Sequence, residues 1–173
     1  MNNKKVLKNH IILILILIIT ILATFYLRNI YIAEKQYNAT NSIIQKVANQ
    51  INENEIDNYL MENPNAILYV SSGQNPEIKG FEQQLKTLLE KQGLTNQTIY
   101  INKDTIDNQE SFIKKIQSLT LKEENKNKLN KSSDSAIYIF ENGKIKYAII
   151  DANHFNINHI KKLFKNYGVI ENE

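Results

Sequence analysis

The residues of this chain that could do chemistry are few. The turn Ser71-Ser72-Gly73-Gln74-Asn75 precedes a helix-like run opened by Asn75-Pro76-Glu77, so it brings two hydroxyls and a row of backbone N–H groups to a helix start. Such a turn suits either an anion held on free N–H groups or a serine nucleophile, and the second needs a general base beside it. Spacing assigns no base, and a capped turn without any ligand is the commoner outcome. The histidines are His10, His154 and His159. The last two are five residues apart, whereas metal pairs on one helix face are three or four apart, so neither a metal nor a cofactor is expected. Asp104, Asp107, Asp134 and Asp151 fall in loops or at strand ends, and no carboxylate pair at helical spacing suggests acid–base work. The chain has no cysteine. That removes disulfides, thiolate catalysis, cysteine zinc sites and anchoring through an acylated cysteine together.

The elements that must position these residues follow in chain order. Residues 53–62 suggest a short helix, stopped by Asn63-Pro64-Asn65 because the residue before proline avoids helical geometry. Residues 66–70 (AILYV) are apolar on both faces, as a central strand requires. Asn75 suits an N-cap, Pro76 the first helical position and Glu77 the positive helix end. Ile78, Phe81, Leu85, Leu88 and Leu89 then recur at helical spacing up to the Gly93 stop. Residues 98–102 (TIYIN) predict a second strand, residues 108–119 a helix with Phe112, Ile113, Ile116 and Leu119 inward, and residues 121–134 a polar helix or loop. Residues 136–140 (AIYIF) and 145–150 (IKYAII) predict two strands joined by Asn142-Gly143, a strong hairpin signal. Ile160, Leu163, Phe164 and Tyr167 mark a closing amphipathic helix from about Asn156. The order predicts a central mixed sheet with helices on both faces.

The N-terminal third is of another kind. Residues 1–9 carry Lys4, Lys5 and Lys8, and residues 11–27 form a nearly unbroken apolar run, long enough to cross a hydrocarbon core of about 30 Å. Lysines concentrated before the run place the N-terminus in the cytoplasm and the remainder outside, with Tyr26 and Tyr31 at interfacial positions. A cleaved signal peptide would need a shorter apolar core and a small-x-small site. Ala23 and Ala33 instead follow Ile21 and Tyr31 at the minus-three place. The expected division is a cytoplasmic tail over 1–9, a transmembrane anchor over 10–28, a helical stalk over 29–51 and an extracytoplasmic domain over 52–173. Within the stalk, Ile30, Ala33, Tyr37, Thr40, Ile44, Val47 and Ile51 recur at coiled-coil spacing. They predict either a parallel homodimer or one helix laying Ile43, Ile44, Val47 and Ile51 on the domain.

Composition narrows the partners. The formal net charge is +3 over 173 residues, and Arg28 is the lone arginine among 21 basic residues. No electrostatic footprint for nucleic acid is present, and bidentate phosphate recognition lacks its usual residue. The excess of Asn, Ile and Lys suggests an AT-rich genome.

The domain resembles thioredoxin-like proteins, in particular the bacteriocin transport accessory type of Gram-positive bacteria. The residues that carry the resemblance are Ile67-Leu68-Tyr69-Val70 as the central strand, Phe81-Glu82 after the joint, and the stretch from Ala136 to Lys144 with its Asn-Gly hairpin. It implies a thioredoxin-like fold over about residues 52–168. It also places the family's Cys-x-x-Cys on Asn75, Pro76, Glu77 and Ile78, and the family's cis-proline slot on Ser135. Without a thiolate, disulfide exchange has no nucleophile. A non-proline cis bond costs about 2.5–4 kcal/mol, so Ser135 is expected in trans. The expectation is therefore a membrane-anchored, redox-inactive module, not an enzyme, that binds another envelope or secreted protein in peptide export or bacteriocin handling. Two alternatives of other classes are a non-redox enzyme using the Ser71-to-Asn75 turn, and a dimeric spacer held by the stalk.

Overall fold

The computed structural model describes residues 3–120, 133 and 135–171. Residues 121–132 and 134, expected as a polar helix or loop, lie outside the described residues. The chain divides into two units, Met1–Asn38 and Ala39–Glu173.

Helix α1 (Asn3–Thr40) accounts for the first unit. Its stretch His10–Tyr37, 28 residues, is long and apolar enough to cross a membrane. At 1.5 Å per residue it measures roughly 42 Å against a hydrocarbon core of about 30 Å. Its two threonines place no unsatisfied hydroxyl in that stretch. Thr20 donates to the Ile16 carbonyl at 2.9 Å and Thr24 to the Thr20 carbonyl at 2.8 Å.

The continuous helix ends at Thr40, which corrects the expected stalk to residue 51. A 3-10 turn, Ile44–Lys46, follows, and then β1 (Asn49–Gln50) lies parallel to β3 (Thr98–Asn102). Ile44 is wholly buried and Ile51 half-buried, so these residues do pack on the domain, but from a 3-10 turn and from the residue just after an edge strand. The three- and four-residue spacing therefore does not describe one seam.

In the second unit, β2 (Ile67–Ser71) and β4 (Ser135–Glu141) sit centrally and β5 (Lys144–Ile150) closes the far edge, giving the order β1-β3-β2-β4-β5. β2 runs parallel to β3 and antiparallel to β4, which pairs antiparallel with β5. Period-two alternation builds two cores. Ile67, Tyr69, Tyr100, Ile137 and Ile139 face α3 (Lys79–Lys91) and the C-terminal helix α5 (Ile157–Asn166). Leu68, Val70, Ile99, Ile101 and Tyr138 face α2 (Ile56–Glu62) and α4 (Gln109–Ser118). Each fully buried side chain of this size contributes about 1.5–3 kcal/mol.

Asparagine does much of the local punctuation. Asn75, Asn108 and Asn156 accept from the backbone N–H of Glu77, Ser111 and Asn158 at 2.9, 2.9 and 2.8 Å, capping the three expected helix starts. At the hairpin, Asn142 and Gly143 both take positive φ, 54° and 72°, as a two-residue turn matched to strand twist demands.

Candidate functional site

The joint lies at the C-terminal end of β2. There the strand ends in Ser71, the turn crosses to a 3-10 turn, Pro76–Ile78, and α3 begins. Of the four positions on which the resemblance places a Cys-x-x-Cys, Asn75 is the half-buried cap, Pro76 and Glu77 are exposed, and Ile78 is buried in full. Beneath them is a carboxylate that sequence reasoning used only as an alignment mark. Glu82 is 0% exposed. Its Oε1 accepts the hydroxyls of Ser42 at 2.7 Å, Ser71 at 2.9 Å and Tyr69 at 3.2 Å, and its Oε2 accepts the Ile43 N–H at 2.8 Å. Four donors thus meet this carboxylate, three sharing Oε1 and one on Oε2. Burying a charge costs several kcal/mol, and bonds to a charged acceptor return about 1.5–3 kcal/mol each, which makes a full set the condition for keeping it there. The signal was legible: Glu82 lies four residues after Ile78 and three before Leu85, on the face that the apolar spacing turns inward.

Phenols line the same place. Burial, and then the Glu82 charge, push the Tyr69 hydroxyl well above its ordinary range. Tyr100 donates to the Ser71 carbonyl at 3.2 Å, and burial raises it to about 12. Lys79, three residues before Glu82, donates to the carbonyls of Asn41 and Gly73, the latter at 2.7 Å. Its burial lowers the ammonium pKa, while Glu82 and Asp104 act in the opposite direction.

The turn is closed by the chain's own groups. Ser71 is fully buried and committed to Glu82, so no substrate reaches its hydroxyl. Ser72 donates to Asp104 Oδ2 at 2.9 Å, and the Gln74 N–H points to the same oxygen at 3.4 Å. The Gly73 N–H meets Asn102 Oδ1 at 3.4 Å. The anion that such a turn could hold is thus supplied internally by Asp104, from the loop after β3.

Ser135, on which the resemblance places the cis-proline slot, opens β4 directly across from Ser71. It is 1% exposed. Its hydroxyl donates to Asn153 Oδ1 at 2.6 Å and accepts the Asn153 N–H at 2.9 Å, tying β4 to the loop after β5. Asp151 enters that loop in the left-handed region, with φ 53°. The remaining candidates are not brought in. Asp107 is exposed before α4, His10 lies exposed on α1, and His154 and His159 are exposed, with the His159 ring stacked on Phe155 at 5.3 Å. No group of three metal-ligating residues forms among the described residues. Beside the joint, Val70, Ile106, Phe112, Ile116 and Tyr138 line a cavity of about 40 Å³, room for little more than one water.

No protein-family model and no curated protein matches this sequence. Solved structures do. Mitochondrial thioredoxin 3 of Saccharomyces cerevisiae matches with a TM-score of 0.50 at 13% identity, over 71% of this chain and 98% of that one. Thioredoxin f2 of Chlamydomonas reinhardtii matches at 0.49 and 10% identity, over 72% and 99%. The Plasmodium falciparum thioredoxin matches at 0.48 and 15%, over 69% and 99%. At such identities the likeness is one of fold. The chain carries a thioredoxin-like domain in which no cysteine remains to perform thiol–disulfide exchange.

Proposed function

We propose that this protein is a membrane-tethered accessory module. In this reading the thioredoxin-like domain stands outside the cytoplasm and binds another envelope or secreted protein instead of exchanging disulfides. One observation carries it: the thioredoxin-like domain has a strand–turn–helix joint at Ser71–Lys79 and no cysteine anywhere in the chain, and on the resemblance it is Asn75 and Ile78 that take the two cysteine positions. The apolar helix long enough to cross a membrane supports the tether, and the lysines that precede it support a cytoplasmic N-terminus. The resemblance to bacteriocin transport accessory proteins points to peptide export as the setting. No enzymatic role is assigned.

The natural absence of cysteine makes the test clean. A single Asn54→Cys or Asn96→Cys change, at exposed positions of the domain, gives one thiol per chain. A membrane-impermeant maleimide added to intact cells should label it, and labelling only after lysis would overturn the orientation. A photo-crosslinking residue at Gln74 or Glu77 should then give a discrete adduct with one protein. The same adducts from position 96, far along the chain, would show that the joint is not the binding surface.

A further inference from the structure

The segment 41–43, which leads from α1 into the sheet, is gripped from two sides. From α3, Lys79 reads the Asn41 carbonyl, and Glu82 reads the Ser42 hydroxyl at 2.7 Å and the Ile43 N–H at 2.8 Å. Lys79 and Glu82 are three residues apart and so neighbours on one helix face. A cation there takes the segment's acceptor and an anion its donors, which is how an extended peptide's main chain is recognised. From the turn, Gly73 comes so close that a Cβ on it would stand 3.2 Å from the Thr40 carbonyl oxygen and 3.3 Å from the Ser42 nitrogen. Lys79 also bonds the Gly73 carbonyl, joining the two sides. Ser42 is 1% exposed, and its oxygen also accepts the Ile44 N–H at 3.2 Å, which directs Ile44 into the core.

We propose that the joint is a peptide-holding site whose ligand is the chain's own segment 41–43. The face of the turn at Gly73 is then closed from within, and the connection out of α1 is locked onto the joint. The lock is firm for a physical reason. Were the segment to leave, Glu82 would lose two of its four donors and keep only the hydroxyls of Tyr69 and Ser71. Release is therefore tied to the arrival of another segment offering a hydroxyl and an N–H, and a second copy's segment or a partner's strand would have that chemistry.

The test uses the full chain in detergent micelles, followed by hydrogen exchange. Glu82→Gln replaces one acceptor oxygen by a donor facing the segment. Loss of a charge-assisted bond should speed exchange at the Ile43 and Ile44 amides by about tenfold or more, with β2 and the second half of α3 unchanged. Ser42→Ala removes only the segment's hydroxyl and should act in the same direction, which keeps the test open where Glu82→Gln does not fold. Exchange at Ile43 unchanged in both variants would overturn the proposal. So would uniform acceleration across β2, β3 and β4, since Glu82 would then support the whole core and not the segment.

Discussion

Ser71 and Ser135 stand opposite each other in the register between β2 and β4, and neither hydroxyl is offered to solvent. Ser71 donates a hydrogen bond to Glu82 at 2.9 Å and Ser135 to Asn153 at 2.6 Å. Two side-chain bonds, one buried and one half-buried, thus secure this end of the sheet.

Ser135→Ala should therefore destabilise the domain. It removes a hydroxyl that both donates to and accepts from Asn153, and leaves two polar groups of that half-buried residue short of a partner. An unsatisfied group of this kind costs about 1–3 kcal/mol. A chemical-denaturation midpoint measured on the full chain reads the loss directly. A midpoint equal to the parent's would mean that water serves Asn153 as well as Ser135 does.

Two glycines of the joint should respond to alanine with opposite signs. Gly73 faces backbone atoms at 3.2–3.4 Å, and those cannot swing aside as a side chain would. Gly73→Ala should cost about 1–3 kcal/mol as overpacking. Gly80 sits in α3 with open space around its Cβ position, so Gly80→Ala should add about 0.5–1 kcal/mol through helix propensity alone. Thermal midpoints of the two variants, measured side by side, would expose an error in either assignment.

The same residues show what local pattern can reveal. β3 spans Thr98–Asn102, the stretch that its β-rich pattern predicts, and the helix starts fall at asparagines because a short carbonyl side chain satisfies the first free N–H groups. β1 was not legible. Asn49 and Gln50 are polar and exposed, and only the backbone of β3 makes them a strand. For the same reason the helical spacing runs past the helix end at Thr40, since Ile44, Val47 and Ile51 keep a three- to four-residue spacing while the chain turns. Glu82 was visible as a carboxylate on an apolar face, but its partner Ser42 lies 40 residues away, beyond any periodicity.

Alkaline pH should unfold the domain earlier than tyrosine content alone would. Phenols ordinarily titrate at 10.0, whereas burial holds Tyr100 to about 12 and also raises Tyr69 and Tyr138. The unfolded chain then releases these protons at a pH where the folded chain still keeps them. The stability they contribute is complete below pH 10 and falls as pH rises toward 12. Denaturation midpoints across that window should decline, and Tyr100→Phe should flatten the decline. An identical slope in the variant would show that Tyr100 is not protected.

Restoring sulfur tests whether the joint still has the geometry of a redox site. Asn75 caps a 3-10 turn and Ile78 ends it, so the two positions are three residues apart across one turn. That spacing keeps Cα atoms within the range of about 4.4–6.8 Å that a disulfide spans. The helix start would also favour a thiolate at position 75. The double change Asn75→Cys and Ile78→Cys should therefore close an intramolecular disulfide under mild oxidation, seen as the loss of two hydrogens in the intact mass. Reduction of a protein disulfide by the same variant should stay slow, because the 41–43 segment covers the turn at Gly73. Rapid turnover would show that the joint was disarmed by loss of its cysteines alone. Failure to close the bridge would show that the turn itself has changed shape.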